Sequence, residues 1–216
     1  MTNQALRRRR TLLGLLVVAA GFAVVLAWPY LSLDPADSRL DVRAGPRYAV
    51  LVVHVFTAAV ALVAGPLQFM AAVRARRRLH RAIGRVYLLA GVLPSAVTAV
   101  AVAIWSGRPV TQAGLSTAAV LWLVTGALAY RAARRRDFAA HRAWMLRNYA
   151  LTFLAVTSRL LVPLLLLAQI PFGGAGAGEI GERAPSMIPI GQTLGWVVNL
   201  LAVELLVVRR PRRARP

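Results

Sequence analysis

The chain has 216 residues, 58% of them hydrophobic, and a formal charge of +20 from 27 arginines, no lysine and seven acidic residues. Soluble domains hold about 45–50% apolar residues, so this is a membrane composition. The arginines fall in short blocks between apolar runs rather than on one soluble face, which sets nucleic-acid binding aside. The absence of cysteine excludes disulfides, thiolate metal sites, c-type haem attachment and iron–sulfur clusters.

A spanning helix needs about 20 mostly apolar residues. In chain order, segments 11–31, 48–70, 86–105, 113–130, 143–170 and 190–208 meet that requirement, predicting an all-α, polytopic bundle of six transmembrane helices. The first follows "RRRR" as a secretory signal would. Its apolar run exceeds the usual 7–15 residues, and no A-x-A-like cleavage site follows, so it reads as a retained anchor. Arginine collects at 7–10, 74–85, 131–147 and 209–215, always on one side. The opposite loops carry Asp34, Asp37, Asp41, Glu179 and Glu182. The positive-inside rule then puts both termini in the cytoplasm.

The expected organisation is an anchor helix at 1–31, a four-helix core at 48–170, a Gly-rich extracytoplasmic loop at 171–189, and a sixth helix with a basic tail at 190–216. The G-x-G-x-x-G in that loop, from Gly176 to Gly181, follows no strand and is a compositional accident.

The core holds two hairpins that dip to the cytoplasm, and their tips nearly rhyme: "HRAIGRVY" from His80 and "HRAWMLRNY" from His141. Each follows an arginine run, which leaves a parallel duplication open. In each, His and Tyr lie about two helical turns apart and share a face. Asp137 is placed to cap the helix carrying His141. A purely interfacial reading stands beside a functional one, because Arg, His, Tyr and Trp all settle at headgroup depth.

Four polar residues lie deeper: His54, Arg159, Asn199 and Glu204. A charge in mid-bilayer costs roughly 2.5–3.5 kcal/mol or more and ordinarily faces the bundle with a partner. Approximate depth pairs Arg159 with Asn199, within reach of His54, and directs Glu204 to the cytoplasmic arginines. Pro66 lies within the second helix, Pro94 and Pro163 are expected to break the third and fifth, and Gln68 is placed to bond groups freed by Pro66. Ser95 and Ser158 read as helix-packing residues.

The set "H(x10)GPLQF", "LHRAIGRVY" and "HRAWMLRNYALTFLAVTSRL", over roughly residues 54–160, resembles a bacterial family of predicted integral membrane proteins of unknown function. The resemblance implies a membrane location, a bacterial cytoplasmic membrane among them. It also implies that His54, Gln68, His80, Gly84, Arg85, His141, Arg147 and Arg159 are signature positions. In architecture alone, the chain is similar to cytochrome b561-like bundles, which hold haem between paired histidines.

Three functions of different class follow. In the first, His80 and His141 are axial ligands of one haem b, Arg85 and Arg147 bind its propionates, and the chain passes electrons from a quinol or other membrane redox partner. Three histidines allow at most one such pair, and no metal is expected beyond the haem iron. In the second, an intramembrane polar site of His54, Gln68, Arg159, Asn199 and Glu204 serves a transporter or binding protein for a small molecule or anion. In the third, the chain is an accessory subunit whose arginine clusters meet anionic lipid headgroups. A hydrolase lacks support, since no acidic pair, H-E-x-x-H or nucleophile motif occurs.

Overall fold

A computed structural model describes residues 3–39, 44–168 and 177–205, with side chains in the last stretch described from 185 onward. The described residues are helical throughout their ordered elements, and none forms a strand. Five helices are long and apolar enough to cross a membrane, and a bent pair makes a sixth span if taken as one. The chain is therefore an all-α polytopic membrane protein. It divides into two compact units, Met1–Trp105 and Ser106–Pro216.

In the first unit, α1 (Asn3–Ala27) and α2 (Pro46–Phe69) form a hairpin. Their connection is fastened by two aromatic residues. The rings of Tyr30 and Tyr48 lie 6.5 Å apart, and the Tyr48 hydroxyl donates to the Asp34 carbonyl at 3.0 Å. After α2 come two short basic helices, α3 (Ala71–Ala75) and α4 (Arg77–Arg85). A π-helical stretch, Val86–Val92, then leads into α5 (Leu93–Trp105). The widening has a covalent cause. Pro94 has no N–H to offer one turn back and its ring crowds the preceding carbonyls. The chain adapts by bonding one residue further, Leu93 N–H to Leu88 carbonyl. Within this stretch Gly91 lies against α2 so closely that a Cβ there would stand 2.9 Å from Ala61 Cα.

The second unit opens with α6 (Pro109–Arg134), reverses at Arg136, whose φ is +62°, and enters α7 (Phe138–Thr152). Asp137 caps α7 by accepting from Ala140 N–H at 2.9 Å. A 47° bend separates α7 from α8 (Leu154–Leu167), and α9 (Ala177–Val203) completes the unit.

Two expectations need correction. Pro163 does not break its helix: α8 runs through it, and the break comes ten residues earlier, at Phe153. There the Ala150 carbonyl accepts from Asn199 Nδ2 of α9 at 2.9 Å, and Asn199 Oδ1 accepts from Thr157 beyond the bend at 2.9 Å. A side chain inserted into the hydrogen-bond ladder is a recognised cause of a kink. The stretch expected as a loop to 189 is helical from Ala177, with Pro185 and Pro189 inside α9. Pro189 cannot donate to the Pro185 carbonyl, and the Arg108 guanidinium does so instead at 3.3 Å.

Candidate functional site

The histidines are held in related ways. His54, on α2, places Nδ1 3.0 Å from the Ser95 carbonyl of α5. A carbonyl only accepts, so Nδ1 carries the proton in the neutral ring and Nε2 keeps the lone pair. The hydroxyls of Ser95 and Thr98 lie 3.3 and 3.4 Å from the same nitrogen. Because that proton is committed to the carbonyl, His54 Nδ1 is not a base for Ser95. The fully buried Ser95 ties two helices together, in keeping with its packing role.

His141 sits in the first turn of α7, half-buried, with Nδ1 2.9 Å from the Ala129 carbonyl of α6. The same reasoning leaves Nε2 as its basic nitrogen. The contact is the first rung of a ladder between α6 and α7. Further along, Asn148 Nδ2 donates to the Trp122 carbonyl at 2.6 Å and to Thr125 Oγ1 at 2.9 Å. Trp122 Nε1 donates to Thr152 Oγ1 at 2.9 Å. Asn148, at 0% exposure, is the centre of this ladder. Nothing in the sequence singled it out: it follows Arg147 inside the second histidine phrase, whereas Asn199 stands alone in an apolar run.

His80 lies on α4, half-buried, with its Nδ1 atom buried. One turn on, Gly84 meets Gln68 of α2: a Cβ at Gly84 would stand 3.3 Å from Gln68 Oε1. Gln68 is 4% exposed, and its Nε2 is buried with no hydrogen-bond partner among the described residues. Both histidine phrases end in a buried tyrosine, Tyr87 at 0% and Tyr149 at 6% exposure. Each helix then departs from regular α geometry within a few residues, at the π stretch and at Phe153.

The remaining candidates separate into pairs. Arg147 is bound twice to Glu204, just past the end of α9, Nε at 3.0 Å and Nη2 at 2.6 Å from one carboxylate oxygen. Its guanidinium carbon also lies 4.8 Å from the centre of the Trp144 ring. Glu204 thus meets an arginine beside a histidine phrase. Asn199 spends its amide on Ala150 and Thr157. Arg159 is exposed and donates to the Ala155 carbonyl of its own helix at 2.8 Å. Arg85 is exposed at the end of α4. No group of three or more His, Asp or Glu side chains able to hold a metal ion occurs among the described residues.

No curated protein and no solved structure matches the chain. Residues 51–207 match a family described as "Predicted membrane protein (DUF2306)", a span that includes all three histidines, the α6–α7 ladder and the Arg147–Glu204 pair. With most of its length matched, the chain belongs to this DUF2306 family of predicted membrane proteins.

Proposed function

We propose that the protein is a haem b-binding electron carrier of the bacterial cytoplasmic membrane, with His80 and His141 as axial ligands. The observation that carries this reading is the pair of matching phrases that open on His80 and His141; the bond from His141 Nδ1–H to the Ala129 carbonyl, which His54 parallels at the Ser95 carbonyl, agrees with it. Metal-bound histidines nearly always donate their other ring N–H to a carbonyl or carboxylate, which fixes the tautomer and turns Nε2 toward the metal. The parallel build of the two phrases supports a shared role. Each opens the returning helix of a hairpin, and each leads to a buried tyrosine and a helix irregularity. Haem would supply reversible one-electron chemistry, with a quinol as the class of donor.

Arg85, exposed at the end of α4, suits a haem propionate. Arg147 suits it less, since its charge already answers Glu204. In this reading His54 stays outside the pair, a structural histidine joining α2 to α5. The transport reading draws less support, because Arg159 is exposed.

The test is an optical spectrum of the full chain, purified in detergent after expression with haem supply, oxidised and then reduced with dithionite. The expected result is near-stoichiometric haem with a sharp reduced α-band. His80→Ala or His141→Ala should abolish the band, while His54→Ala should keep it. A colourless, monodisperse protein under the same supply overturns the proposal.

A further inference from the structure

Within the first unit, an apolar groove of about 730 Å³ runs between α1, α2 and the start of the α4–π stretch. Five of its lining residues are alanine, whose methyl groups leave the space open. It extends from Trp28, at the outer end of α1, to Ile83 and Val86. Along α2 it covers Phe56 to Leu67, roughly 16 Å at ~1.5 Å per residue, a length suited to an extended hydrocarbon chain.

The chemistry changes abruptly at the inner end. The lining residues Ala82 and Val86 alternate with Arg81 and Arg85, both exposed. Arg77 and Arg78 extend the same basic surface, also exposed. The ion pair described, Arg147–Glu204, lies elsewhere, and no carboxylate is described against Arg81 or Arg85. Beside the same end, Gln68 follows the last lining residue of α2 and rests on Gly84, its Nε2 a buried donor without a described partner. A chain-sized apolar groove and a pair of cations therefore follow one another in the order in which a phospholipid presents acyl chain and phosphate.

We propose that this groove is a specific site for an anionic phospholipid, one acyl chain lying between α1 and α2 and the phosphate held by Arg81 and Arg85. This inference rests on the membrane location of the chain; it shares Arg85 with the haem reading, and Arg81 belongs to the lipid site alone. An arginine near an anionic lipid surface is worth about a fivefold change in binding, so the pair gives roughly thirtyfold for anionic over zwitterionic headgroups.

The test is native mass spectrometry of the full chain released from mild detergent, titrated with dioleoyl phosphatidylglycerol or with dioleoyl phosphatidylcholine. One phosphatidylglycerol should be retained per chain, with a preference of about tenfold or more over phosphatidylcholine. Arg81→Gln/Arg85→Gln should remove the preference, while Arg134→Gln/Arg135→Gln, on the other unit, should keep it. Ala59→Phe, which fills the groove, should abolish retention of either lipid. Equal retention of the two lipids, or equal loss in both arginine pairs, overturns the specific headgroup site and leaves only diffuse charge attraction. Unchanged retention in Ala59→Phe overturns the groove as the seat of the chain. The arginine variants alter exposed side chains and do not depend on repacking.

Discussion

Asn199 shows how a single polar residue inside the membrane decides local geometry. Its amide group donates to Ala150 on one side of the Phe153 bend, and its oxygen accepts from Thr157 on the other. A leucine of similar size would fill the space and make neither bond. Interhelical hydrogen bonds in membranes average only about 0.6 kcal/mol, with a maximum near ~1.7. Asn199→Leu should therefore cost about 1–2 kcal/mol, read as a lowered midpoint in reversible detergent unfolding. An unchanged midpoint would show that the bend stands without its pin. The sequence marked Asn199 as too deep to be incidental. It paired Asn199 with Arg159 because depth along a helix is readable while rotation about the axis is not. The carbonyl that claims Asn199 is a backbone group, invisible to any inspection of side chains. The same limit hid the Ala129 carbonyl that positions His141 and the Ser95 carbonyl that positions His54.

At the scale of elements, membrane helices were legible from hydropathy and their irregularities were not. Pro94 was flagged as a break, and the structure answers with a π-helical stretch rather than an interruption. Pro163 was flagged too, yet α8 passes through it, since the bilayer tolerates a proline whose freed groups find partners. Gly91 was not singled out at all, although it governs how closely α2 and the π stretch approach. Its absent Cβ would meet Ala61 N, Cα and Cβ, each at 2.9 Å, so the contact involves backbone that has little freedom to retreat. Gly91→Ala should cost about 1–3 kcal/mol through overpacking. Gly21→Ala, where nothing lies within 4 Å, should be neutral or gain up to ~1 kcal/mol from helix propensity alone. Thermal unfolding of the two variants side by side checks this. Equal midpoints would mean that the helices have room to separate and that the close approach is not required.

At the scale of the whole molecule, the arginine distribution carries a claim about orientation that helix geometry does not address. Cytoplasmic loops of membrane proteins accumulate Lys and Arg because positively charged segments resist translocation. Strict alternation of six spans would put the arginine blocks at 7–10, 74–85 and 131–147 on one side of the membrane. The connection between α1 and α2 carries Asp34 and Asp37 instead. The chain contains no cysteine, so single cysteines can be introduced without removing any. In sealed, right-side-out vesicles, a membrane-impermeant maleimide should label Ala36→Cys and Ser106→Cys. It should reach Arg78→Cys and Arg135→Cys only after the membrane is opened. The inverse pattern would place the histidine phrases and the groove's basic end on the outer face. That would disconnect them from a cytoplasmic electron donor and from the anionic inner leaflet together. The haem reading and the lipid site thus both depend on orientation and share Arg85, while His80 and His141 on one side and Arg81 and Ala59 on the other test them apart.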